Sequence, residues 1–377
     1  MRQVKTYWHN PSDHIRHSSP TGPMIYLSPE QLQATARRFL AGFPGRVTYA
    51  VKANQSVEVL ANLSAAGITG FDVASPVEMA AVRAVQPEAE LHYNNPVRGK
   101  GEIAAAEAHG VVSYSVDSHS ELAKLDGLGP VEVAVRLRLP VAGAAYDFGS
   151  KFGLLPEPAT ALLREVRARG FRPAITFHPG TQCTDPAAWE AYIAAAGQVA
   201  QAAGVEIARL NVGGGFPAHR GGAAPDLERI FSTIDRATTA TFGSARPELL
   251  CEPGRAMVAE AFLLATQIRA LRDDGAVFLD DGIYGGLSEF PVLGAIDRVS
   301  VLDGEGQPRT GPRQPRVLFG PTCDSLDRIP GEIPLAADLA EGDWLLFEGM
   351  GAYSLATATR FNGYGALSQA TVVSTAP

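Results

Sequence analysis

The chain has 377 residues, of which 32 are basic and 40 acidic, and its formal net charge is -8 at pH 7. This balance argues against nucleic acid or an anionic membrane as the main partner, and it is compatible with a cationic small molecule. Cys183, Cys251 and Cys323 are too few and too scattered for a disulfide framework or a structural zinc site. Because no apolar run is long enough to span a membrane, the sequence predicts a soluble, cytoplasmic protein. Its length predicts one large domain and a smaller one.

The first 23 residues are polar and contain prolines at positions 11, 20 and 23, so they predict an extended arm or an edge strand. A helix start follows at Ser28. This capping serine precedes Pro29, and Gln31 stands three residues after the cap. The helix is expected to end near Ala41.

Residues 47–54 read V-T-Y-A-V-K-A-N, and their alternation predicts a strand that carries Lys52 at its C-terminal end. Apolar neighbours at that position would disfavour the charged ammonium and leave a nucleophilic amine, which suits Schiff-base chemistry. The alternative is an ordinary strand-end lysine whose side chain extends into solvent.

From residue 47 to residue 251, apolar segments alternate with helical patterns. Strands are predicted at residues 47–52, 70–74, 90–94, 111–115, 131–138, 173–178, 207–212 and 247–251. Helix start signals lie between them at Ser75, Ser118 and Asp185. Eight β-then-α units predict an α/β fold with a parallel, TIM-like (β/α)8 barrel, and an open doubly wound sheet remains possible if one strand is misassigned.

Such barrels place their chemistry at the C-terminal ends of the strands. The predicted strand ends carry Lys52, Asp72, Asn94, Asp117, Arg136, His178, Gly213 and Glu252. Strand ends near solvent are commonly polar, which explains part of this set. It does not explain the combination of acids, bases, an imidazole and a glycine turn.

Two motifs after these strands suit a phosphate and a ring nitrogen. Gly213, Gly214 and Gly215 can form a backbone nest for phosphate, although three glycines also suit a tight turn. No acidic residue stands where it would contact a ribose, so a dinucleotide is not expected. In E-P-G-R, Arg255 can pair with a phosphate and Glu252 can accept a hydrogen bond from a protonated ring nitrogen, unless the motif is a structural ion pair at a turn.

The helical alternation stops after Arg255. Short apolar runs at residues 262–268, 276–279, 316–319, 343–347 and 370–373 predict a β-domain, and residues 303–315 predict an exposed loop. The expected domains are an N-terminal arm or strand over residues 1–25 that joins the β-domain, a barrel over residues 26–256, and a C-terminal all-β domain over residues 257–377.

A lysine that traps an aldehyde, a phosphate nest and a carboxylate for a pyridinium are together what pyridoxal 5′-phosphate requires. The motifs Y-A-V-K-A-N, G-G-G-F-P, E-P-G-R, G-P-T-C-D-S-L-D, G-A-Y and F-N-G-Y follow in this order between about residues 26 and 367. In these motifs the chain resembles the ornithine decarboxylase family, whose members combine a barrel with a β-domain. The resemblance implies decarboxylation of a basic diamino acid, first of all L-ornithine to putrescine in polyamine biosynthesis.

The resemblance also implies roles for single residues around the cofactor. Lys52 would form the Schiff base with it, His178 would stack on its ring, and Glu252 would keep the ring nitrogen protonated. The further cofactor contacts implied are Asp72, Arg136, Thr181, Gly213, Gly214, Gly215, Arg255 and Tyr353.

The substrate contacts implied by the family pattern lie in the C-terminal part of the chain. Cys323 would return a proton to the substrate α-carbon, and Asp281, Tyr284 and Asp324 would bind the substrate, with the two aspartates at its distal ammonium. In this family the residues matching Cys323 and Asp324 come from the partner subunit, which implies a homodimer with shared active sites. Lys151 and Asp327 resemble a pair that forms a salt bridge across that interface.

Two departures from the family pattern bear on the substrate. Thr181 stands where serine is usual, and a small effect is expected because both residues carry a hydroxyl. After Tyr284 the chain continues G-G-L-S-E instead of the usual pattern, which leaves the length of the substrate open. L-lysine or 2,4-diaminobutyrate therefore fits the motifs as well.

Other functions fit less of the sequence. Diaminopimelate decarboxylase has a glutamate after the cysteine, where this chain has Asp324, and alanine racemase lacks the G-P-T-C-D segment. A non-catalytic regulatory homologue would have lost cofactor or catalytic residues that are present here. No metal site is expected, because His14 and His17 lack further ligands in register.

Overall fold

The structure is a computed structural model that describes residues 7–140, 145, 149–294 and 296–377. Its strands are β1 (Tyr7–Trp8), β2 (Met24–Leu27), β3 (Arg46–Ala50), β4 (Gly70–Asp72), β5 (Glu90–Tyr93), β6 (Val111–Val116), β7 (Glu132–Leu137), β8 (Arg172–Phe177), β9 (Arg209–Asn211), β10 (Glu248–Cys251), β11 (Phe262–Leu271), β12 (Val277–Leu279), β13 (Val299–Leu302), β14 (Arg313–Arg316), β15 (Leu318–Phe319), β16 (Ile333–Ala336), β17 (Trp344–Glu348) and β18 (Ser368–Val372).

The α-helices are α1 (Pro11–Ser18), α2 (Pro29–Gly42), α3 (Val57–Ala65), α4 (Pro76–Val85), α5 (Lys100–Ala108), α6 (His119–Ala123), α7 (Pro156–Ala168), α8 (Ala187–Ala203), α9 (Leu227–Phe242), α10 (Arg255–Val258) and α11 (Phe290–Leu293). Within the described ranges, none of these helices combines the length and the apolarity needed to cross a membrane. The predicted caps at Ser75 and Ser118 are present, because each hydroxyl accepts a hydrogen bond from the backbone N–H three residues on.

Strands β3 to β10 form a closed parallel barrel in which β10 pairs with β3. The (β/α)8 prediction is therefore confirmed, and the open sheet is excluded. The barrel lies in a compact unit that comprises Ala36–Pro217 and Pro225–Gly254. Parallel register places Ala50 beside Asp72 and Arg136 beside Thr176, so the polar strand ends meet at one end of the barrel.

The second unit comprises the described residues of Met1–Thr35, together with Ala218–Ala224 and Arg255–Pro377. Its main sheet has the order β1-β18-β2-β11-β12-β15, with β17 pairing with both β11 and β13, while β14 and β16 form a separate ribbon. Alternate residues of β11 enter two apolar cores: Leu263 and Ala265 pack on one side, Leu264 and Ile268 on the other. The period-2 pattern thus gives a strand that is buried on both faces.

Two sequence expectations for this second unit need correction. The predicted arm contains helix α1, because Asn10 caps it by accepting a hydrogen bond from Asp13 N at 2.9 Å and Pro11 occupies the first turn. The first six residues of that arm lie outside the described residues. The end of the predicted loop at residues 303–315 belongs to β14, which pairs with β16 although its side chains are mostly exposed.

Candidate active site

Six of the eight predicted strand-end residues line one cavity of about 230 Å³, and Asp117 and Gly213 are not part of its lining. Its lining consists of Lys52, Asp72, Ala74, Asn94, Asn95, Arg136, Lys151, Phe152, Thr176, Phe177, His178 and Glu252. Two cationic side chains from the predicted set, Lys52 and Arg136, therefore share this space with two acidic ones, Asp72 and Glu252. The parallel barrel brings these four side chains together from four different strand ends.

Lys52 differs from its prediction in two respects. It lies in the single 3-10 turn Val51–Ala53 that follows β3, and its side chain is exposed while Val51 and Ala53 are buried. The expected burial of Lys52 among apolar side chains is therefore not found. Lys52 acts electrostatically on two neighbours. Burial raises the pKa of both Asp72 and Glu252, and the positive charge of Lys52 opposes that rise.

Glu252 is the buried acid of the cavity, with an exposed fraction of 8%. The side-chain amides of Asn94 and Asn211 both donate hydrogen bonds to its Oε1. Burial, and secondly the charge of Asp72, raise the pKa of the Glu252 carboxyl to about 8, against the opposing effects of Asn211, Lys52 and Arg136. A protonated ring nitrogen beside Glu252 would supply the positive charge that favours the ionised carboxylate, so the two groups suit each other as partners.

Asp72, the last residue of β4, is also buried. Burial raises the pKa of its carboxyl, and the charge of Lys52 and hydrogen bonds from Asn94 act in the opposite direction. Two buried carboxyls thus lie within electrostatic reach of each other. Lys52 and Arg136 compensate their charge when both are ionised.

His178 directly follows β8 and is neutral in this environment. Burial and the charges of Lys52 and Arg136 hold the pKa of its imidazole well below its usual value. Its Nδ1 accepts a hydrogen bond from Gly180 N at 3.1 Å, which places the ring proton on Nε2. A flat, neutral ring fixed by its backbone can stack on a heteroaromatic ring.

The turn Gly213, Gly214 and Gly215 follows β9 and requires glycine for steric reasons. Gly213 and Gly215 have φ values of +69° and +84°. A Cβ on Gly213 would lie 2.1 Å from the carbonyl oxygen of Phe177, and one on Gly214 would lie 2.8 Å from that of Glu252. The turn therefore has no room for side chains at Gly213 and Gly214, and a bare backbone of this kind can form a phosphate nest.

Arg136, at the end of β7, lies over the ring of Phe152 at 5.1 Å, and Lys151 Nζ lies 4.9 Å from the same ring. Phe152 therefore contributes an aromatic wall to the cavity between two cations. Thr181 lies three residues after His178, and its carbonyl oxygen accepts a hydrogen bond from Ala145 N at 2.9 Å.

In the second unit, Arg255 and Tyr353 come together as predicted for a phosphate site, but Arg255 has an additional partner. The Arg255 guanidinium lies 4.9 Å from the centre of the Tyr353 ring. It also forms two hydrogen bonds with the carboxylate of Glu289, one of them between Nη2 and Oε1 at 2.5 Å. Tyr353 has a φ of +66°, a strained conformation for an aromatic residue, which is common at functional sites.

The predicted substrate residues also lie in this second unit. Asp281 is 1% exposed; its Oδ2 accepts a hydrogen bond from Gly286 N at 2.8 Å, and its buried Oδ1 has no partner among the described residues. Burial raises the pKa of Asp281 to about 7. The Tyr284 hydroxyl donates to Asp324 Oδ2, which lowers the pKa of Asp324.

The loop that carries Cys323 is held by two side chains. Cys323 is exposed, and both its Sγ and its backbone N–H contact Asn362 Oδ1, at 3.3 Å and 3.2 Å. Asp327 is 1% exposed and accepts hydrogen bonds from Ile283 N and from Thr322. Asp327 is thus held by its own chain, and its ion pair with Lys151 of a partner stays a prediction.

Sequence reasoning assigned no role to three asparagines that organise these sites. Asn94 was seen only as a polar strand end, and Asn211 and Asn362 were not considered. The signal for Asn211 is an amide inside the apolar segment L-N-V that leads into the glycine turn. Asn362 adopts a φ of +52°, which asparagine tolerates better than most residues.

The residues of the barrel cavity fit pyridoxal phosphate. A buried acid with raised proton affinity suits the pyridine nitrogen, a neutral imidazole suits the face of the ring, and a turn that a Cβ would block suits the phosphate. Lys52 supplies a primary amine on the same cavity wall.

Several known proteins are similar to this chain in sequence and in fold. Residues 30–259 match the model of the pyridoxal-dependent decarboxylase family, pyridoxal binding domain. Ornithine decarboxylase of Mus musculus is 33% identical over 356 residues, which cover 87% of this chain and 75% of that protein. Arginine decarboxylase of Paramecium bursaria Chlorella virus, solved with agmatine, has a TM-score of 0.85 at 26% identity and covers 94% of this chain and 97% of the other.

A lysine/ornithine decarboxylase from Vibrio vulnificus, solved with putrescine, has a TM-score of 0.81 at 28% identity, and the match covers 95% of both chains. The family model spans more than half of the chain, and the match to the viral arginine decarboxylase extends over the barrel and most of the strand-rich unit. The chain therefore belongs to the pyridoxal-dependent decarboxylases of the basic amino acid group, and pyridoxal phosphate is its cofactor.

Proposed function

We propose that the protein decarboxylates a basic diamino acid, with L-ornithine as the preferred substrate and putrescine as the product, for polyamine biosynthesis in the cytoplasm. The observation that carries this proposal is Asp281, whose buried Oδ1 has no partner among the described residues. A buried carboxylate oxygen without a donor is costly unless a ligand supplies one, and an ammonium is the complementary ligand.

The bound cofactor supplies the electron sink for the pair that CO2 leaves behind. Lys52 Nζ would hold the cofactor at its aldehyde carbon, and Glu252 would accept a hydrogen bond from the ring nitrogen and stabilise its protonated form. His178 would cover one face of the ring without adding charge. The phosphate would be held by Gly213, Gly214, Gly215, Arg255 and Tyr353, with Thr181 nearby, while Asp72 and Arg136 would lie beside the ring.

Cys323 Sγ donates the proton that replaces the carboxylate on the substrate α-carbon. Its exposure within its own chain suits a role in the partner's site. Leu326 is 71% and Phe361 42% exposed beside this loop, which is an unfavourable arrangement for apolar side chains in a monomer. The proposal therefore includes a homodimer in which Cys323 and Asp324 complete the site of the other subunit.

A substrate panel tests this function. The purified protein, loaded with pyridoxal phosphate, is incubated with L-ornithine, L-lysine, 2,4-diaminobutyrate, L-arginine and meso-diaminopimelate, and the amines and CO2 are quantified. The highest kcat/KM is expected for L-ornithine. Lys52→Ala is the control, and it should lose both turnover and the visible absorbance of bound cofactor.

Each other outcome of the panel has a defined meaning. A preference for L-lysine or 2,4-diaminobutyrate would retain the reaction and change only the length of the substrate. A preference for meso-diaminopimelate would contradict the pairing of Asp281 and Asp324 with a distal ammonium, because that substrate carries a second carboxylate there. Full activity in Lys52→Ala would refute the role of Lys52.

A further inference from the structure

Two amide side chains hold the buried carboxylate of Glu252 from the same side. Asn94 follows β5 and Asn211 ends β9, and the Nδ2 group of each donates to the same atom, Glu252 Oε1. Both asparagines are themselves buried, with exposed fractions of 9% and 5%. Both amide donors contact Oε1, so the two oxygens of this carboxylate have different surroundings.

Asn211 also connects Glu252 with the glycine turn. Its Oδ1 accepts a hydrogen bond from Gly213 N at 2.9 Å, while its Nδ2 serves Glu252. A single side chain thus links the turn that suits a phosphate to the acid that suits a ring nitrogen. Any change in the spacing of these two groups would break one of the two hydrogen bonds of Asn211.

Asn94 lies between two carboxyls. It donates to Glu252 Oε1 through Nδ2, and it also forms side-chain and backbone hydrogen bonds with Asp72. Two neighbouring buried carboxyls tend to share one proton, because a second negative charge is unfavourable. A donor placed between them stabilises the ionised form of both, and it keeps Glu252 from turning its Oε2 towards Asp72.

We propose that Asn94 and Asn211 are positioning residues that hold Glu252 by its Oε1 and present Oε2 to the ring nitrogen of pyridoxal phosphate. This inference rests on the proposed role of Glu252 and deepens it. The amides do not touch the reacting atoms. They determine how strongly Glu252 holds a proton and in which direction its second oxygen points.

The substitution Asn211→Asp tests this proposal at a single atom. Aspartate has the same shape and retains an oxygen for Gly213 N, but it cannot donate to Glu252 when ionised. Asn62→Asp in α3 is the matched control, because it makes the same chemical change at a residue whose Nδ2 donates to Glu58 O at 2.8 Å, outside the cavity lining.

The readouts are the affinity of the cofactor-free protein for pyridoxal phosphate and the pH dependence of the absorbance of the bound cofactor, with kcat and KM measured separately. In Asn211→Asp the absorbance midpoint should shift by about one pH unit and the affinity should fall about tenfold, because one lost donor changes proton affinity by that order. We expect kcat to fall and KM to change little. Asn62→Asp should match the wild type.

A second variant keeps the test decisive if Asn211→Asp does not fold. Asn94→Ala removes the other donor and should shift the same absorbance midpoint in the same direction. If both variants fold and retain the wild-type pH profile and cofactor affinity, the positioning role is wrong while the proposed function stands. If the wild type itself does not bind the cofactor or release CO2, the proposed function fails instead.

Discussion

Asp281 combines the deepest burial with the least satisfied carboxylate among the candidate substrate residues. Its side chain is 1% exposed, and Oδ1 has no partner in the described part of the chain. Asp324, proposed for the same ammonium, differs in every respect: it is partly exposed, and Tyr284 donates to it. The two acids should therefore respond in opposite ways to loss of their charge.

Asp281→Asn should stabilise the protein at mildly alkaline pH. Burial raises the pKa of Asp281 from 3.8 to about 7, so the folded state binds its proton more tightly than the unfolded state does. The contribution of Asp281 to stability is thus fully present below pH 3.8 and is lost as the pH rises through about 7. Above that range the asparagine variant should be more stable by about 1–3 kcal/mol.

Thermal unfolding of the cofactor-loaded wild type and variant, at acidic and at mildly alkaline pH, measures this effect. Asp324→Asn is the control and should not stabilise the protein at either pH, because hydrogen bonding lowers the pKa of Asp324. Asp281→Asn should also raise the KM for the diamino acid. Equal stability of Asp281→Asn and wild type at alkaline pH would contradict an ionised, unpaired Asp281.

The site residues could be predicted where a motif indicates their chemistry. Their burial and their hydrogen-bond partners could not. Lys52, His178 and Glu252 line one cavity, as expected from strand ends in a parallel barrel. The exposure of Lys52 was missed, because the chain turns into a 3-10 helix directly after Ala50. The pairing of Arg255 with Glu289 could not be foreseen, since it joins residues far apart in sequence.

At the scale of elements, the glycine turn after β9 is determined by a close approach of backbone to backbone. Gly213→Ala should destabilise the protein and weaken pyridoxal phosphate binding, because its Cβ would lie 2.1 Å from Phe177 O at a φ of +69°. Gly204→Ala is a matched control at the C-terminal cap of α8, with a φ of +63° and no atom within 4 Å of the added Cβ.

Denaturant unfolding and cofactor titration of both variants separate backbone strain from steric contact. Gly204→Ala should lose about 1 kcal/mol from the left-handed conformation alone and bind the cofactor normally. Gly213→Ala should lose clearly more and bind it more weakly. If the two variants unfold alike, the approach of Phe177 does not determine the turn.

Elements with strong local signals were predicted well, and short ones were not. The caps at Ser75 and Ser118 set helix starts that the structure confirms. Helix α1 was missed because Asn10 and Pro11 signal a turn as well as a capped helix start. Strand β14 was missed because its side chains are largely exposed and show no apolar alternation.

At the scale of the whole molecule, the proposed homodimer makes a prediction about mixtures. Lys52→Ala and Cys323→Ala should each be inactive as pure proteins, the first in attaching the cofactor and the second in returning the proton. After unfolding and refolding together, mixed dimers contain one site built from two intact contributions. About a quarter of wild-type activity should return, since half the dimers are mixed and each has one active site.

Diamine release before and after mixing measures this complementation. The control is each variant unfolded and refolded alone, which should remain inactive. A mixture as inactive as its components would contradict a site shared between subunits and would leave Cys323 to act within its own chain.

The pairing of β18 with both β1 and β2 joins strands from opposite ends of the sequence. During synthesis, β2 therefore has no partner strand until β11 has been made. Its other edge stays unpaired until β18 has been made. The barrel strands all lie between β2 and β11 in the sequence, so the barrel can close while the apolar strand Met24–Leu27 is still an unpaired edge. A chain shortened before β18 would retain that edge, and its principal defect should be aggregation.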